Sequence, residues 1–244
     1  MNGAYLEVQI RGYIIGPITA FREYIFGDVL PAFGDLNERA DKVAREYYDT
    51  IGSQPAGEDW DIDMGDVAED AQDRGLSWYQ MMTSLRQSMM NLLAAGLFHL
   101  TEQRLALLCR DGGFRMEPPR DTKLEEVKKW YATYLRLDFE TLPSWPTIDE
   151  LRLVANAVKH AEGPATRQLR DIRPELFSDP AFEELYKKME EDGLGRMDGR
   201  TVSAPLSGEE FFVSEKLLKG YAEAAESFYR EMADHFRAHS DEYY

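Results

Sequence analysis

Apolar residues recur every three or four positions over much of the chain, the spacing of helices that bury one side. The longest run extends from about Ser77 to Arg110. Trp78, Leu85, Leu92, Leu97, Leu100 and Leu108 mark its stripe, and Asp111-Gly112-Gly113 ends it. Shorter runs predict helices at about 122–136, 148–161, 166–172, 180–191 and 214–238, and in ITAFREYIFGDVL and LNERADKVAREYYDTI. For the helix from Ile148, Thr147 and Glu150 have the spacing of a capping box and Gly163-Pro164 is the stop signal. Leu92, Leu97, Leu100, Val154 and Val158 are the candidate core. Two places depart from the helical period. Tyr5, Leu6, Val8 and Ile10 alternate as a strand or extended arm does, and EDGLGRMDGRTVSAPLSGEE reads as a glycine-rich loop with room for a short strand pair. The expected class is all-α, an up-and-down helical bundle with a long central helix and minor strand content.

No repeat or low-complexity linker divides the chain, and turn signals are spread along it. Residues 1–74 are expected to form an N-terminal helical and acidic region packed on the core. Residues 75–244 then form the main bundle with its C-terminal helix, and one continuous domain stays open as an alternative.

Composition adds that 43% of the 244 residues are hydrophobic, enough for a sizeable core. Charge narrows the function more. With 28 basic against 45 acidic side chains, the net charge of −17 repels polyanions. Coating of DNA is disfavoured, because phosphate contacts supply most non-specific nucleic-acid affinity. A protein partner, or RNA or a nucleotide held in a local basic groove, remains open. No stretch approaches the roughly 18 apolar residues of a membrane helix. The start MNGAYLEVQIRGYIIG lacks the order of a secretory leader, so the expectation is a cytoplasmic protein without a membrane contact. Cys109 is the only cysteine, which excludes an intrachain disulfide and a thiolate metal cluster. Inside LALLC it reads as a small buried hydrophobe.

The candidate chemistry lies on ELRLVANAVKHAEG. At about 100° per residue, Arg152, Asn156, Lys159 and His160 share one side, while Leu151, Val154, Val158 and Ala161 occupy the other. Imidazole moves protons near neutral pH, cations stabilise charge on phosphate oxygens, and an amide orients either. A solvent-facing polar stripe, or an Asn156–His160 pair fixing a helix crossing, would carry the same pattern. Other candidates are weaker. Asp59, Asp61, Asp63, Gly65 and Asp70 resemble a calcium loop, but Met64 and Asp70 stand where glycine and glutamate are required. His235 and His239 are one turn apart without an obvious third ligand, and His99, near Glu102 and Gln103, reads as a satisfied core histidine with contact to the Asn156 face as the alternative. Neither a metal nor a cofactor is expected.

Two segments resemble the HEPN family (higher eukaryotes and prokaryotes nucleotide-binding), small helical bundles that often act as ribonucleases in toxin–antitoxin and phage-defence systems. NLLAAGLFHLTEQRLALLC is similar to the family's long glutamate-bearing helix. WPTIDELRLVANAVKHAEG resembles its later helix with an R-N-x-x-x-H core. The resemblance covers about residues 77–172. It implies that His160 is the family's histidine and Asn156 the polar residue after its arginine. It also implies a homodimer in which two such helices face each other. The chain departs from the pattern at Ala155, where the arginine belongs. Arg152 lies one turn earlier and farther from His160, and Glu162 stands where some members carry tyrosine. Two functions follow from the resemblance: a catalytically silent module that binds a protein or nucleotide partner, or a metal-independent ribonuclease using His160 with Arg152 and Lys159.

Overall fold

The computed structural model of the chain describes residues 3–53, 63–111, 117–119, 123–182, 187–188, 191–192, 202–208 and 210–239. Helix follows helix: α1 (Gly3–Gln9), α2 (Ile15–Tyr24), α3 (Leu36–Gly52), α4 (Met64–Asp111), α5 (Leu124–Leu135), α6 (Trp145–His160), α7 (Pro164–Ile172) and α8 (Glu215–Ala238). Single π turns at Ile10–Ile14 and Ile25–Val29 flank α2, and short 3-10 turns fill several connections. The architecture is an all-α, up-and-down bundle around α4, whose 48 residues reach about 72 Å at 1.5 Å each.

Several expectations change on contact with the structure. Tyr5 to Ile10 are helical, because Leu6, Ile10, Ile14 and Ile18 repeat at four residues and bury together. That stripe packs α1 and α2 on α8, so the N-terminal segment joins the main core. Among the described residues there is no strand. The glycine-rich stretch at 193–201, and Asp59 and Asp61 of the supposed calcium loop, lie outside the described residues. Asp63 accepts the Gly65 amide at 2.7 Å, while Asp66 and Asp70 ride exposed on the first turns of α4. Acids at a helix N-terminus are electrostatically favoured. Position 74 therefore sits inside an unbroken helix.

The helix carrying the candidate chemistry also starts differently. α6 begins at Trp145 with Pro146 in its first turn, and Thr147 is already inside it. Ser144 directs its amide and hydroxyl to Glu231 on α8, at 3.1 and 2.7 Å. Glu150 is taken by the Tyr221 hydroxyl (2.6 Å) and Arg173 (2.9 Å), so the capping box does not form. Tertiary partners have displaced the local cap.

The core fills with Leu97, Val154 and Val158, as the periodicity indicates, while Leu100 is half-buried. Leu92 is the exception at 52% exposed, on a side of α4 that no described element covers. Aromatic rings set the centre: Phe139, Trp145, Phe228 and Tyr229 stack edge-to-face or tilted at 5.2–5.9 Å. Tyr131 and Tyr229 satisfy their hydroxyls on the Leu105 and Thr101 carbonyls of α4. Cys109 lies buried beside them, its thiol pushed up to about 12 by burial, which makes it an inert filler.

Candidate groove between α4 and α6

α6 packs its apolar side, Leu151, Val154 and Val158, into the core and so turns Arg152, Asn156, Lys159 and His160 toward α4. All four line one groove of about 1060 Å³. Its floor is apolar, with Phe98, Ala95, Gly96, Leu124, Ala155 and Val158. Leu92 and Leu206 stand at its rim, both exposed. Gly96 matters to the shape, since nothing lies within 4 Å of where its side chain would be.

The ends of two helices meet here. Lys159 and His160 occupy the last turn of α6, where cations offset the negative end of the helix dipole. Lys123, Leu124, Glu125 and Glu126, at the start of α5, line the opposite wall. Beyond His160 the chain turns sharply: Ala161 adopts φ +53°, and its carbonyl accepts the Thr166 hydroxyl. Glu162 then pairs with Arg170 and accepts the Val202 amide at 2.7 Å. The Arg170 hydrogen bond, opposed by desolvation and helped by that amide, holds the Glu162 carboxyl below its ordinary 4.5. Glu162 thus ties Val202 to the turn that follows α6.

The four residues are not equivalent. Arg152 donates its Nε to Asp149 at 2.7 Å, so its charge is already compensated. Among the described residues, the side chains of Asn156, Lys159 and His160 make no hydrogen bond or ion pair. His160 and Lys159 are exposed and Asn156 is half-buried, so a hydrogen-bonded Asn156–His160 pair does not form. Ala155 is 6% exposed in the groove wall, leaving no guanidinium there.

α4 contributes residues that the sequence pattern placed wrongly or missed. His99 is exposed and lines the groove, against its reading as a core histidine. Its Nε2 lies 2.9 Å from the Gln103 amide nitrogen and its Nδ1 3.9 Å from Glu102. Its place on the long helix near Glu102 and Gln103 allows contact with the Asn156 face as the alternative, and His99 and Asn156 both line the groove. Lys123, Glu125 and Glu126 carried none, because their approach depends on how α5 docks. The groove's charge is mixed: Lys123, Lys159 and the compensated Arg152 face Glu102, Glu125 and Glu126.

A second cavity, of about 780 Å³, lies beside α8. There Tyr221, Glu150 and Arg173 already satisfy one another, with the Tyr221 hydroxyl held far above its ordinary value by burial and the Glu150 bond. His235 and His239 stack at 4.4 Å, with His239 Nδ1 on the His235 carbonyl. Among the described residues no three His, Cys, Asp or Glu side chains gather to hold a metal ion, and no helix is long and apolar enough to cross a membrane.

Among the described residues, fold and groove define an all-helical bundle with a partly basic groove in which Asn156, Lys159 and His160 of α6 are uncommitted while Arg152 is paired with Asp149. No family model, curated protein or solved structure matches the chain.

Proposed function

We propose that the chain is a HEPN-like, catalytically silent module of a bacterial toxin–antitoxin or phage-defence system, binding a nucleotide-class ligand in the α4–α6 groove. One observation carries this: Asn156, Lys159 and His160 line a groove of nucleotide size, above an apolar floor, without intrachain partners among the described residues. Lys159 and His160 suit a phosphate, Asn156 suits a base edge or sugar hydroxyl, and Phe98 lies on the apolar floor. Glu102, Glu125 and Glu126 limit the site to one or a few phosphates, since a long backbone would meet them as well as the −17 field. Silence follows from Ala155 and from the Arg152–Asp149 pair, which leave no uncompensated guanidinium on α6 for transition-state charge.

The ribonuclease reading is favoured by a different fact, that His99 and His160 line the same groove. Two imidazoles are able to share the roles of base and acid. Calorimetry with a 5′-nucleotide and a short RNA, on wild type and His160→Ala, separates the readings. Silent binding predicts intact RNA, at least tenfold weaker nucleotide binding by the variant, and an unchanged melting temperature. RNA cleaved by wild type and spared by the variant establishes the nuclease instead. No binding at millimolar nucleotide removes the nucleotide proposal.

A further inference from the structure

We infer that the groove ends against Leu206, beside the last turn of α6, and that its ligand is a mononucleotide held by a terminal phosphate and not a phosphodiester within a longer strand. This rests on the nucleotide reading of the groove and names which nucleotide chemistry it accepts.

The observations begin with two tethers. Residues 202–208 and 210–213 form a strap without helix or strand, so its place depends on individual contacts. The Val202 amide donates to the Glu162 carboxylate at 2.7 Å, and the Asn91 side-chain amide donates to the Pro205 carbonyl at 2.6 Å. Glu162 lies two residues beyond His160, within about 7.6 Å along the Cα trace. Asn91 adjoins Leu92. Both tethers therefore fall at one end of the groove, the first on the α6 wall and the second on the α4 wall. Leu206 follows Pro205 directly and lines the groove between them.

The turn that carries Leu206 is closely fixed. Glu210 accepts the Ser203 and Ala204 amides at 2.7 and 2.8 Å, and the Ser207 amide closes on the Ala204 carbonyl at 2.8 Å. Gly208 adopts φ +77°, and a Cβ there would stand 2.7 Å from the Gln87 Cβ of α4. A side chain at 208 is opposed by both conformation and contact. Yet Leu206 itself is 44% exposed, so its own burial does not account for this fixing.

Charge selects the ligand. Lys159 and His160 stand in the last turn of α6, at the end that the strap crosses. A phosphate held by them meets the Leu206 isobutyl group, which occupies the space of a second ester substituent and offers it no hydrogen bond. Ten residues along α4 from Leu92, about 15 Å, Glu102 lines the same groove. Its carboxylate repels a second phosphate and accepts protons from sugar hydroxyls or a base amino group. One free phosphate at the Leu206 end, with the nucleoside directed toward Glu102, satisfies both ends. Glu162, Asn91 and Gly208 are positioning residues that act through Leu206.

Calorimetry with adenosine 5′-monophosphate and its phosphate methyl ester tests this on the full chain. Wild type should favour the free phosphate, and Leu206→Ala should lower that preference about tenfold by admitting the ester. The preference left in the variant is the charge difference between dianion and monoanion. The melting temperature should not change, since Leu206 is exposed. Gly208→Ala, which displaces the strap, should lower the preference in the same way; if it does not fold, Leu206→Ala decides alone. A wild type without preference, or a preference that Leu206→Ala leaves intact, overturns the inference while the nucleotide reading stands. A folded Gly208→Ala protein with the wild-type preference overturns the role of the strap. Failure of wild type to bind either probe overturns this inference together with the proposed function.

Discussion

The bundle around α8 and the arm formed by α3 with the first turns of α4 are held by different means. The bundle centres on Phe139, Trp145, Phe228 and Tyr229, which belong to one continuous core. The arm buries Ala40, Val67 and Ala71 outside that core. Its helices come so close that a side chain at Gly75 would meet the Ala40 carbonyl at 3.0 Å. Cation–π contacts of Arg39 with Trp78 and Arg74 with Tyr47 complete it. Small residues give a close crossing but little buried area, so the arm should open well below the global unfolding free energy. The groove lies on the bundle side of this divide, where close packing fixes the positions of its walls.

The comparison breaks most readily at its extremes. Phe228→Ala should cost about 3–5 kcal/mol in a denaturant melt and lower protection from hydrogen exchange throughout the bundle. Val67→Ala removes roughly two methylene equivalents, about 1.5 kcal/mol, and should speed exchange only in α3 and the start of α4. Equal, global effects of the two substitutions would show that arm and bundle unfold as one unit.

An effect of comparable size is expected where α4 crosses from arm to bundle. Asn91 is fully buried there. It donates to the Pro205 and Phe211 carbonyls at 2.6 and 2.8 Å and accepts from the Val213 amide. Gln87 reinforces it by donating to the Val213 carbonyl at 3.0 Å. Asn91→Ala leaves buried backbone groups of that strap unpaired, at about 1–3 kcal/mol. The loss should register in the bundle and at the groove rim, where Leu206 sits, and leave the arm untouched.

These particulars mark how far the sequence reached. The 3.6-residue period located α3, the end of α4 and α5 to α8 within a few residues, because burial of one stripe outweighs local preferences and is written in the order of residues. The same period put Arg152, Asn156, Lys159 and His160 on one side of α6. It failed where tertiary contacts decide. The Tyr5–Ile10 alternation lost to the four-residue stripe that α8 accepts. Glu150 abandoned a local cap for Tyr221 and Arg173, and Leu92 kept an apolar position that no described element covers. His99, Lys123 and Glu125 entered the groove only through the docking of α4 and α5, which no local spacing encodes. Asn91 was invisible for the same reason: beyond its neighbour Gln87, the backbone groups it binds lie more than a hundred positions away.

The finest distinction between the two regions is their response to acid. In the bundle, the carboxylate of Glu162 holds Arg170 and the Val202 amide, and its folded-state value lies below the ordinary 4.5. The sign follows from proton counting. Around that ordinary value the unfolded chain binds the proton that the folded chain refuses, so the stabilisation is fully present above it. It is lost as pH falls through the lower folded value. Glu162 is near the surface, so the effect is local, and it should appear as lower protection of the Val202 amide from exchange on acidification. The Arg39–Trp78 and Arg74–Tyr47 contacts of the arm contain no carboxylate, and the amide of Trp78 should keep its relative protection over the same range. Glu162→Gln should reproduce the acid state of the strap at neutral pH. If Val202 exchanges alike in wild type and variant at every pH, Glu162 does not hold the 202–208 segment, and Asn91 and Glu210 carry it instead.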